Sequence, residues 1–106
     1  MDEKINRLVN QVKECLIEMY GEKIKQIILF GSYVRGETSK NSDVDVLVVV
    51  DESLKPFKVR ESLSDLLFDI LLEEDELISV IVVPESFYRN YKSPFMLNVK
   101  REGIVT

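Results

Sequence analysis

The sequence predicts an α/β domain of the α+β kind, a small mixed β-sheet flanked by helices in the order α-β-β-α-β-α. Three observations predict it. Three short apolar runs, residues 25–30, 43–50 and 77–83, are dominated by isoleucine, leucine and valine, as strands are. Two longer stretches, 3–20 and 56–73, instead repeat apolar residues at helical spacing. The chain has 106 residues, 45% of them hydrophobic, which suits a single domain over 1–106 with one core.

Each element has its own signal. Ile5, Leu8, Val9, Val12, Leu16 and Met19 make the apolar stripe of the first helix, and Gly21 ends it. Cys15 falls on or beside that stripe and reads as a packing residue. Residues 25–30, KQIILF, read as a strand, 32–36 as a short helical turn and 37–42 as a polar loop. Residues 43–50, DVDVLVVV, are β-branched and nearly all apolar, as in a strand covered on both faces. Pro56 sits in the first turn of the next helix, whose inner face is Val59, Leu63, Leu66, Leu67, Ile70 and Leu71. The acidic run 73–76 reads as a solvated helix end and leads into LISVIVV, 77–83. Pro84 starts a short helix to about Tyr91, and Ser93-Pro94 caps another that stops near Gly103. Tyr88, Tyr91 and Phe95 read as core, with a partner surface as the other reading.

Composition removes several function classes. No run of about 18 uncharged apolar residues is present, so no membrane span is expected. Met1-Asp2-Glu3-Lys4 lacks the apolar stretch of a secretory signal. A single cysteine cannot form an internal disulfide, which fits a reducing, cytoplasmic setting. The net charge of −5 disfavours bulk nucleic acid as a partner. There is no histidine, which removes His-based triads, the usual general base and the histidine-containing zinc motifs.

The chemistry concentrates between the first two strands. A strand that ends in Gly31-Ser32 and turns at once into a helix presents free backbone N–H groups, which favour phosphate. Gly31 has no Cβ, so a ligand can approach its backbone, and Ser32 adds a hydroxyl. Alone, such a pair is also an ordinary turn. No GxxxxGK[ST] or GxGxxG is present. Asp43 and Asp45 lie at i and i+2 of a strand, on one face and about 7 Å apart along the chain. Paired carboxylates of that reach share hard cations such as Mg2+, which keep phosphate as a co-ligand. The plainer reading makes Asp43 part of a turn and Asp45 a solvated strand residue. Against it, aspartate is depleted in strands, and two like charges entering a buried run need compensation.

Gly31-Ser32-Tyr33-Val34-Arg35-Gly36, followed after five residues by Ser42-Asp43-Val44-Asp45, resembles the GSxxRG…SDxD signature of the polymerase-β-like nucleotidyltransferase superfamily. The short length is similar to its minimal nucleotidyltransferase group, and the element order matches over residues 1 to about 90. The resemblance implies the nucleotidyltransferase fold. It also implies transfer of a nucleotidyl group, most simply AMP from MgATP, to a hydroxyl of a protein or small molecule. Gly31, Ser32 and Arg35 would then face the nucleotide phosphates, with bracing of the loop as the other role for Arg35. Asp43 and Asp45 would bind Mg2+ as the catalytic pair. Members of the minimal group are often antitoxins paired with HEPN-type partners, which makes such a protein the implied partner. One departure stands out. The family's third carboxylate falls most simply on Ser79, in Leu77-Ile78-Ser79-Val80. A serine hydroxyl is a weak Mg2+ ligand and no general base near neutral pH. The alternative is therefore a catalytically weakened module that neutralises its partner by binding.

Overall fold

The computed structural model describes residues 3–31, 34 and 43–106. Helix α1, Glu3–Tyr20, is followed by a single 3-10 turn, Gly21–Lys23, and strand β1, Ile24–Phe30. Strand β2 is Val44–Val50, helix α2 Pro56–Ser62, helix α3 Ser64–Glu74 and strand β3 Ile78–Pro84. Helices α4, Glu85–Asn90, and α5, Pro94–Glu102, precede a short strand β4, Ile104–Val105. The sheet order is β3-β2-β1-β4. β1 runs antiparallel to β2 and β4, while β2 and β3 are parallel. The mixed sheet predicted from the sequence is therefore present, and each predicted strand ends within one residue of its observed limits.

The side-chain period of two divides the core between the sheet faces. Ile27, Leu29, Val44, Val46, Val48, Val50, Ile78 and Val80 point to one face. They pack there on Ile5, Leu8, Val9, Val12 and Leu16 of α1 and on Val59, Leu63, Leu67 and Ile70. Cys15 packs against this cluster, as expected. The other face carries Ile28, Leu47, Val49 and Val83 under Met96 and Val99 of α5. β2, central and covered on both sides, is the apolar run that the sequence marked.

Four expectations need correction. The single helix over 56–73 is two, broken at Leu63, whose backbone N–H donates to the Arg60 carbonyl at 3.1 Å. Leu63 is fully buried there, so packing sets the break while the apolar spacing runs straight through it. Met19 is exposed and leaves the α1 stripe. Tyr88 packs on the second cluster, but Tyr91 and Phe95 are about half exposed, at 52% and 44%. Tyr91 stacks on Phe87 at 4.5 Å, and Phe95 meets Phe30 edge-on at 5.5 Å. The acidic end of α3 is only partly solvated, since Glu74 and Glu76 pair with Arg7 and Lys4 of α1.

At α5, Ser93 is the N-cap, its hydroxyl accepting the Met96 N–H at 3.1 Å. Beyond α5, β4 pairs with β1, and the Thr106 N–H donates to the Ile27 carbonyl at 2.9 Å.

Candidate functional site

The sheet's second face is covered by α5 over part of its area, and at one end it carries polar groups. β1 finishes there at Phe30, with Gly31 just beyond it, while β2 and β3 begin there. The register pairs Asp45 with Phe30 on one side and with Ser79 on the other. Asp45, Ser79 and Leu47 thus share a face by alternation, with the buried valines 44 and 46 on the opposite one. Asp45 and Ser79 are half-buried, and Asp43 is exposed just before β2. The Ser79 hydroxyl donates to Asp43 Oδ2 at 3.4 Å, a long contact that places the serine against the carboxylate pair.

Gly31 closes the other side. Its φ is +86°, a backbone region that side chains disfavour. A Cβ built on it would overlap the Asp45 carboxylate. The Val34 N–H donates to the Gly31 carbonyl at 3.1 Å. Of the sequence-derived site residues, Asp45 lies against Gly31, and Asp43, two residues before it, meets Ser79. Ser32 and Arg35, and the polar loop 37–42, lie outside the described residues.

Gly31→Ala is expected to strain the turn and push the Asp45 carboxylate aside. The left-handed backbone alone costs about 1–2 kcal/mol with a side chain. A lower Tm together with weaker MgATP binding is the expected outcome; unchanged values of both would separate Gly31 from the carboxylate.

Sequence reasoning missed the surroundings of this end. A cleft of about 160 Å3 beside Gly31 is lined by Phe30, Phe95, Val99, Asn98 and Glu102. Its polar members come from α5, and helical phase alone does not tell which side of a short helix meets the sheet. Among the described residues, no group of three or more histidine, cysteine, aspartate or glutamate side chains could hold a metal. The donor set at β2 and β3 is two carboxylates and one hydroxyl. No described helix is long and apolar enough to cross a membrane.

The family model and the sequence relatives agree on one family, and the solved structures share the fold. The nucleotidyltransferase domain family matches residues 9–101. Two proteins of Methanocaldococcus jannaschii, each named a putative protein adenylyltransferase, match nearly end to end. One is 35% identical over 105 residues, covering 98% of this chain and 95% of that protein. The other is 30% identical over 101 residues, covering 95% and 97%. Among solved structures, a toxin–antitoxin crystal structure with AMP-PNP superposes with a TM-score of 0.58 at 21% identity. That match covers 90% of this chain and 69% of the other, and it shows a shared fold. The family match runs from α1 into α5 and takes in both Gly31 and the carboxylate pair, so the chain belongs to the nucleotidyltransferase domain family and is a nucleotidyltransferase.

Proposed function

We propose that the protein transfers AMP from ATP to a hydroxyl of a protein acceptor, with Mg2+, and works as the antitoxin of a pair with a HEPN-type toxin. The observation that carries the transfer is the placing of two carboxylates at one sheet end, Asp45 against Gly31 and Asp43 against Ser79. The names of the two archaeal relatives support AMP and a protein acceptor. The toxin–antitoxin structure that shares the fold supports the paired partner. On this reading residues 1–106 act as one nucleotidyltransferase domain.

The donor chemistry fits a hard cation. Two carboxylates side by side at the mouth of a buried strand repel each other, and oxygen ligands of this kind suit Mg2+ with phosphate as co-ligand. Asp43 and Asp45 would hold the ion, and bound Mg2+ supplies neutralisation of the charge that builds on the phosphates. Gly31 lets the triphosphate lie against its backbone, and Ser32 and Arg35 give a hydroxyl and a cation to phosphate oxygens. The acceptor oxygen bonds to the α-phosphorus in line with the departing β-phosphate oxygen, and pyrophosphate leaves with the electron pair. With no third carboxylate at Ser79, whose hydroxyl is turned to Asp43, the acceptor proton passes to water, a weak base.

That last point favours a second reading, in which nucleotide and partner are bound with little turnover. One experiment separates the two. A partner captured by affinity pull-down from the native cell is co-expressed with the chain, purified, and incubated with α-labelled ATP and Mg2+. Label on the partner, lost in Asp43→Asn, is the expected result. Partner binding without label, beside normal MgATP binding, supports the second reading. Absence of MgATP binding overturns both.

A further inference from the structure

An apolar groove of about 210 Å3 runs along α3 to the start of β3. Phe68 and Leu71 line it from α3, Arg60 from α2, Ile78 from the first position of β3 and Leu77 from just before it. Phe68, Leu71 and Leu77 are 58%, 39% and 46% exposed, far more than a domain core allows. The position of the groove ties it to the carboxylates. The Leu77 carbonyl accepts the Val44 N–H at 2.9 Å, and Val44 lies between Asp43 and Asp45. Ile78 precedes Ser79, which touches Asp43. In the order β3-β2-β1 the groove sits at the β3 edge, on the side away from Gly31, and its Ile78 and Leu67 belong to the face opposite Asp45 and Ser79, so a chain seated in it reaches the carboxylates around the start of β3. With phosphates toward β1, the β3 side is left for the group that attacks.

Charge selects the occupant. Residues 60–77 hold seven acidic side chains and one basic, Arg60. Glu61, Asp65, Asp69, Glu73 and Asp75 are exposed. Asp65, Asp69 and Glu73 recur every fourth residue, an acidic ridge beside the stripe of Ser64, Phe68 and Leu71. A second copy would set this ridge against itself, and an anionic lipid surface would be repelled.

We infer that this groove docks the protein acceptor by an apolar side chain flanked by basic residues, so that a neighbouring hydroxyl reaches Asp43 and Asp45. The inference rests on the protein-adenylyltransferase reading and adds where and how the acceptor is recognised.

The test uses a fluorescent lysine-rich peptide with leucines at helical spacing and one tyrosine. A control replaces every lysine with glutamate. Anisotropy titrations are run on wild type, Leu71→Glu and the double variant Asp65→Lys with Asp69→Lys. All three changes are at exposed positions, and each protein is also titrated with MgATP. Wild type should prefer the basic peptide by at least roughly tenfold, and Leu71→Glu and the double variant should each lose about that factor with MgATP affinity unchanged. No binding of the basic peptide to wild type, equal binding to Leu71→Glu, or preference for the acidic peptide overturns the docking site. Concentration-dependent dimerisation abolished by Leu71→Glu assigns the groove to a second copy and overturns it too. Failure of wild type to bind MgATP counts against the nucleotidyl-transfer reading instead, because the peptide titration does not use nucleotide.

Discussion

Asparagine in place of Asp43 or Asp45 is expected to cut MgATP affinity by roughly a hundredfold or more while the fold survives. Even partners that only support a metal ligand cost about 10–100-fold in metal affinity when removed, and a ligand itself should cost no less. Neither change alters core volume. Asp43 is exposed, and Asp45 is half-buried on the less covered sheet face, away from the valines that fill the larger core. Without metal, either variant should melt at the same temperature or higher, because one of two neighbouring charges is gone. Calorimetric titration of MgATP into wild type and both variants is the check. Equal affinity in all three proteins would remove the carboxylates from the site.

Aspartate in place of Ser79 should do the reverse. Ser79 is paired with Asp45 across the parallel ladder and lies 3.4 Å from Asp43, so a carboxylate there joins the other two. A positioned general base contributes typically about 10²–10⁴-fold, and the transfer rate should rise within that range. Three carboxylates at one sheet end repel each other without a cation, so the metal-free Ser79→Asp protein should be less stable than wild type. Mg2+ binds the folded state and restores stability by mass action, so the variant's Tm should climb more steeply with Mg2+. Thermal melts across a Mg2+ series, with label transfer measured in parallel, read both effects. A Mg2+ dependence identical to wild type would mean that Ser79 is not the third position.

The parts of the fold written in short-range pattern were legible. The run 44–50 announces a strand buried on both faces because hardly any polar side chain interrupts it. α1 announces itself by its stripe. What failed depends on contacts distant in sequence. Leu63 looks like any core position of one long helix, and only its packing makes it a joint. β4 is two exposed residues, Ile104 and Val105, and exists because the free edge of β1 is there to pair with them. At the proposed site, the strand period of two put Asp43 and Asp45 on one face, the family resemblance picked out Ser79, and the parallel register sets Ser79 beside Asp45. The cleft beside Gly31 was not legible, because Asn98 and Glu102 reach it from a helix whose docking angle no local pattern records. Nor was the α3 groove: Leu67 and Leu71 carry the same helical spacing, yet one is buried and the other 39% exposed.

The overlap between a side chain at position 31 and the Asp45 carboxylate has a consequence for how the sequence can change over time. The space that glycine leaves is the space that aspartate fills, so substitutions at the two positions are not independent events. A lineage that placed a larger residue at 31 would have to move or lose the carboxylate at 45 in the same step. A lineage that had already lost the carboxylate would be freer to vary at 31, limited only by the positive φ. Covariation of 31 with 45 among descendants of this chain would therefore record whether the Gly31 position and the carboxylate strand were inherited as one unit.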